Sequence, residues 1–133
     1  MKRTMLTLVG LSLALLAASC SKDSGPTAGE FNVSLTTPNS DDGAIQFTAT
    51  ASTPATITSL GTACTGCKLF VVRVSDNLYR GVLTGQLAAG TLFHIGVSDT
   101  KIASSYSVTI DAVSTRAHAV RGSALGYSIK LVP

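Results

Sequence analysis

A chain of 133 residues with 13% charged residues and a formal charge of +3 is the size of one domain, and Lys2 and Arg3 alone supply two of those charges. Beyond them eight basic residues face seven acidic ones, with no basic stripe and few aromatics. That balance argues against nucleic acid as a partner and against binding of anionic lipid by a basic face.

The chain opens on a short basic segment, Met1-Lys2-Arg3, followed by an uncharged run rich in Leu and Ala from Thr4 to Ala18. A helix needs roughly 20 apolar residues to cross a bilayer core, so this run is short for a span and has the form of a signal-peptide apolar region. Polarity flips at Ser21-Lys22-Asp23-Ser24, and no apolar periodicity carries on past Cys20.

At the junction stands Leu16-Ala17-Ala18-Ser19-Cys20. It resembles the bacterial lipobox, in which small residues precede an obligatory Cys; Ala17 stands where Leu is most frequent, with Leu16 one step earlier. The resemblance implies that residues 1–19 are a cleaved leader and that the Cys20 thiol carries a diacylglyceryl group. Two or three acyl chains hold firmly where one does not, at about 0.8 kcal/mol per buried methylene. Ser21, rather than Asp, after the Cys implies the outer membrane of a bacterial envelope. Residues 20–29 then read as the lipidated Cys and a flexible Gly/Pro-containing tether, whose last nine residues span roughly 15–18 Å as a coil. Residues 30–133 read as the folded domain.

From residue 30 on, the apolar period is two. Phe31, Val33 and Leu35 alternate with polar residues, then Ile45, Phe47 and Ala49. Ala55–Leu60 and Gly81–Leu87 are weaker strand candidates. Leu69–Val74 and Leu92–Val97 are continuously apolar, the mark of central strands. Tyr106, Val108, Ile110 and Ala112 alternate again, as do Tyr127, Ile129 and Leu131. Turn chemistry separates these runs at 38–43, 61–66, Asp76-Asn77, Ala89-Gly90 and Ser98-Asp99. No amphipathic helix is evident. The expectation is an all-β fold, an antiparallel sandwich of about eight strands, jelly-roll or Ig-like.

Gly43-Ala44-Ile45-Gln46-Phe47, then Leu83-Thr84-Gly85-Gln86-Leu87 leading into Gly90-Thr91-Leu92-Phe93-His94-Ile95, resembles cohesin-type domains over about residues 30–132. The resemblance implies a jelly-roll sandwich used for protein docking and related to some carbohydrate-binding modules. Function follows from it less directly than fold does.

Cys64-Thr65-Gly66-Cys67 holds the two cysteines other than Cys20. In an oxidising compartment a tight turn brings positions i and i+3 close enough to pair, and Gly66 gives the small ring its backbone freedom. The alternative is a thiol–disulfide redox motif, which needs a helix N-terminus to lower a thiol pKa. Here the motif runs into the strand-like Lys68-Leu69-Phe70-Val71-Val72. Zinc would need two further ligands at suitable spacing, and none is evident.

His94 lies in an apolar run and His118 in a loop, both more readily structural than catalytic. Asp41-Asp42-Gly43 has oxygen ligands for calcium, but reads first as a turn between the first two strands. The chain has one Glu, Glu30, and no facing carboxylates, nucleophile elbow, phosphate loop or zinc-protease motif. No cofactor and no enzymatic activity are expected. Tyr79-Arg80, just after a turn, reads as an exposed contact site, since both residue types favour interface hot spots. The function expected is a lipid-anchored, non-catalytic β-sandwich that acts as a protein-interaction or structural module, with another envelope protein or a surface polymer as its partner. The alternatives are a glycan or surface-polymer binder, and less readily a redox protein using Cys64 and Cys67.

Overall fold

The computed structural model describes residues 24–133; the leader and Cys20 lie outside the described residues. The fold is an all-β sandwich of two four-stranded sheets, antiparallel throughout, as the alternation predicts. In chain order the strands are β1 (Gly29–Thr36), β2 (Asp42–Ala51), β3 (Ile57–Thr62), β4 (Lys68–Ser75), β5 (Leu78–Leu87), β6 (Gly90–Val97), β7 (Tyr106–Thr115) and β8 (Ser128–Val132). One sheet has the order β3-β6-β1-β8 and the other β4-β5-β2-β7. The chain changes sheet at every connection except the β4–β5 hairpin, so consecutive strands mostly face each other across the core. A short 3-10 segment, Thr100–Ser105, precedes β7.

The inward residues of both sheets make one core. Phe47 of β2 stacks on Phe93 of β6 across the sandwich, ring centroids 4.4 Å apart, and Phe31 of β1 meets Tyr106 of β7 at 5.8 Å. Such contacts add about 0.5–1.5 kcal/mol to what ring burial contributes. Gly81 makes room for the Phe47 ring, because a Cβ there would lie 2.5 Å from Phe47 Cζ.

Two bulges adjust the simple alternation. Leu92 is the extra residue opposite β1, so Leu92 and Phe93 are both buried although adjacent. Asp111 is the extra residue opposite β2. It shifts the phase of β7, so Val113 enters the core in place of the expected Ala112.

Two expectations need correction. Leu92–Val97 is indeed in a central strand, β6, but Leu69–Val74 is in an edge strand, β4, with only β5 beside it. Its apolar run reflects an exposed outer face rather than burial on both faces. The expected tether is also fastened where it meets the domain. Thr27 N–H donates to Asp99 Oδ1 at 3.0 Å, Thr100 N–H donates to the Thr27 carbonyl at 2.7 Å, and Lys101 Nζ donates to the Gly25 carbonyl at 2.6 Å. A Gly/Pro-containing composition does not prevent a segment from being tied down when cap-forming residues lie within reach.

Candidate interaction surface

A sandwich of two sheets has four edge strands, and here three of them are blunted. β3 is short, polar at Thr58 and Ser59, and broken by a register shift between Ile57 and Ser59. β8 has five residues, carries Lys130 and runs into Pro133. β7 is covered at its C-terminal end by the returning chain: Ser114 bridges Val120, and Arg121 N–H donates to the Val113 carbonyl at 2.9 Å. These are recognised ways of preventing edge-to-edge pairing.

β4 carries charge only at the ends of its regular stretch, Lys68 and Arg73; between them Leu69–Val72 is uncharged, and Lys68–Arg73 pair with β5 in continuous register, the shift coming only between Arg73 and Ser75. Its sequence is Lys-Leu-Phe-Val-Val-Arg-Val-Ser, β-branched or apolar at most positions. Phe70 is 61% exposed and Val72 66% exposed. The register places Phe70 beside Val82 and Val72 beside Arg80 on the outer face, with Gln46 of β2 next in the row after Val82. The inward-facing Val71, opposite Gly81, is itself 36% exposed, because β4 overhangs the margin of the core. Unpaired backbone donors and acceptors thus run beside a strip of exposed Phe and Val side chains.

Only half of the expected Tyr79-Arg80 contact site is exposed. Tyr79 is buried, and its hydroxyl donates to the Ile57 carbonyl at 3.3 Å. Neighbours in a strand point to opposite faces, so Tyr79 enters the core and Arg80 alone reaches the outer surface. The other two tyrosines are also engaged: Tyr106 is buried, and Tyr127 is half-buried.

Cys64 and Cys67 are joined by a disulfide, with Cα atoms 5.5 Å apart and Gly66 at φ 75° between them. The bridge closes the loop that leads from β3 into β4. The second Cys is followed by a strand, so the pair lacks a helix N-terminus to activate a thiolate. Gly85 of β5 packs beneath it, where a Cβ would lie 3.1 Å from Cys67 Sγ.

Asp41 and Asp42 are more than turn residues. Asp42 is fully buried at the start of β2. Its carboxylate accepts hydrogen bonds from Thr37 Oγ1 at 2.6 Å, Tyr127 Oη at 2.7 Å and Arg121 Nε at 2.9 Å. Arg121 also pairs with Asp41, and Asn39 Nδ2 donates to Tyr127 Oη at 2.7 Å. Burial, the largest influence, raises the Asp42 pKa. The hydrogen bonds from Thr37, Tyr127 and Arg121, with the Arg121 charge, outweigh it and hold the carboxyl below its ordinary range. Both Asp42 oxygens, and Oδ1 of Asp41, are therefore engaged by this chain's own donors rather than left open to a calcium ion. Arg121, Thr37 and Asn39 carried no signal in the sequence, because their partner is 79 positions away in the first case and defined only by the loop fold in the others.

His94 sits on the outer face of its sheet above Gly61, where a Cβ would lie 2.4 Å from Nε2. His118 is exposed in a turn, at φ 64°. Among the described residues no three His, Cys, Asp or Glu side chains are grouped to hold a metal ion.

Among the described residues, fold and surface together define an antiparallel β-sandwich with one open apolar edge. No family model matches the chain, and neither does any curated protein or solved structure with which it was compared.

Proposed function

We propose that this chain is a lipid-anchored protein of the bacterial envelope whose sandwich is a non-catalytic protein-interaction module, and that β4 is its docking edge. One observation carries the reading. Among the described residues, β4 is the one edge strand that combines a regular unpaired backbone with exposed large apolar side chains, Phe70 and Val72. An edge of this kind binds by strand addition: main-chain hydrogen bonds supply affinity and alternate side chains supply specificity.

The anchor rests on Leu16–Cys20 and the basic, apolar leader before it. Because Gly25 and Thr27 are fastened to the domain, little chain is left between Cys20 and the fold. Five residues reach at most about 17 Å when fully extended. The sandwich is thereby held close to the bilayer.

Metabolic labelling with a palmitate analogue tests the anchor. The expected result is label on the wild-type chain, none on Cys20→Ser, and a wild-type mass matching cleavage after Ser19. An unlabelled chain retaining its leader would refute the anchor. Crosslinking through β4 in intact envelopes tests the docking edge.

A further inference from the structure

We infer that the occupant of the β4 edge is β4 of a second copy of this chain, paired antiparallel about a two-fold axis at Val71. The inference deepens the proposed function and rests on its assignment of β4 as the docking edge.

An isologous contact requires a surface complementary to itself. The regular stretch of β4 meets that requirement. A two-fold axis perpendicular to the sheet maps outer face onto outer face, so residues with the same facing must come opposite each other. With the axis at Val71, Phe70 lies opposite Val72 of the second copy, and Val72 opposite its Phe70. The two most exposed apolar side chains of the regular stretch therefore cover each other twice. On the inner side Val71 meets Val71, filling the overhang where it is incompletely buried. Val82, beside Phe70 on β5, widens the apolar strip from each side. The result is one continuous eight-stranded sheet, β7-β2-β5-β4 joined to its two-fold copy.

Charge selects this orientation. Lys68 stands at one end of β4, and the exposed Arg73–Asp76 pair stands at the other. Antiparallel pairing about Val71 sets each Lys68 opposite Val74 of the second copy, next to an Arg73–Asp76 pair that is neutral in itself. It separates the two Lys68 side chains by six positions, about 20 Å. Parallel pairing would set Lys68 against Lys68 and Arg73 against Arg73. Like charges directly opposite are destabilising.

A single strand edge with its flanking side chains is smaller than the roughly 800 Å² per partner of a standard interface. The contact is accordingly weak in dilute solution and gains from confinement of both copies to one membrane, which raises their effective concentration.

The test uses the full-length chain expressed in bacteria as two differently tagged copies. A benzophenone-bearing residue replaces position 70 or 72, or position 109 on the same outer face three strands away. The expected product at 70 and 72 is an adduct of twice the monomer mass carrying both tags. Its crosslinked peptide should lie within residues 68–76, and position 109 should give none. Phe70→Lys combined with Val72→Lys, probed from position 82, should reduce the adduct at least tenfold. Both replaced side chains are exposed, so the far-ultraviolet spectrum and Tm of that variant should be unchanged, which separates lost pairing from lost folding. An adduct of another mass at 70 and 72 would overturn the second-copy inference and leave β4 standing as a docking edge. No adduct at either position would overturn both.

Discussion

Arg121 Nε donates to Asp42 Oδ1 at 2.9 Å across 79 residues of sequence, tying the segment between β7 and β8 to the loop between β1 and β2. The same carboxylate takes the hydroxyls of Thr37 and Tyr127. One buried charge thus organises one end of the sandwich. Asp42→Ala should cost about 3 kcal/mol in denaturant unfolding, the scale seen when one partner of a buried pair is removed. Arg121→Ala should destabilise in the same direction, because the Asp42 carboxylate it leaves behind is fully buried and keeps only the hydroxyls of Thr37 and Tyr127. The double variant should lose less than the sum of the two. Strict additivity would show that the two side chains do not act together.

The same carboxylate predicts an acid limb of stability. Asp42 has a folded pKa below its ordinary 3.8, so between the two values the unfolded chain binds more protons than the folded one. Its contribution is fully present above the unfolded value and fades as pH falls through 3.8 towards the lower folded value. Asp99 acts in the same sense, since hydrogen bonds from the Thr27 and Lys101 backbone N–H groups lower its pKa. Unfolding midpoints measured from pH 6 down to pH 2.5 should drop in this window. Asp42→Asn should start lower and drop less steeply; an unchanged slope would remove Asp42 from the account.

Gly81 and Gly122 provide a matched pair of substitutions. An alanine Cβ at Gly81 would lie 2.5 Å from Phe47 Cζ and 3.0 Å from the Phe70 carbonyl oxygen, while at Gly122 nothing stands within 4 Å. Gly81→Ala should therefore cost about 1–3 kcal/mol as overpacking of the Phe47–Phe93 stack. Gly122→Ala should fall within about 0.5 kcal/mol of wild type. Thermal unfolding of the two variants side by side measures the difference. Equal Tm values would show that the core has slack at Phe47.

The Cys64–Cys67 bridge closes a very short loop, for which the chain-entropy estimate is about 2 kcal/mol. Reduction, or replacement of both cysteines by Ser, should lower stability by about that amount and leave the sheet content intact. Denaturant titration with and without reductant, followed by circular dichroism, checks both parts. Collapse of the fold on reduction would show that the bridge holds more than its own loop.

Much of the fold was legible because a strand's facing is local. Phe31, Val33 and Leu35 alternate with polar residues, and all three are buried. The turn at Asp76-Asn77 is equally plain, and Asn77 ties it to the β2–β3 connection, donating from Nδ2 to the carbonyls of Ala51 and Ala55 at 3.0 and 2.7 Å. The local pattern fails where a neighbour, rather than the residue, decides the outcome. Tyr79 followed a turn and was expected at the surface, yet the register of β5 turns it inward. The continuous apolar run of β4 was expected at the centre of a sheet, because composition does not distinguish a strand covered on both faces from one left bare at an edge.

The sequence by itself determined the period-two pattern, hence a sandwich with its strands near their expected places, and the Cys64–Cys67 spacing that permits a bridge. Tertiary structure alone decided which strands became edges and which carboxylate became buried. Alternation depends on sterics between adjacent residues, which any short segment carries within itself. Edge position and the partners of Asp42 depend on which distant segments arrive beside them, and that is settled only when the whole chain closes around its core.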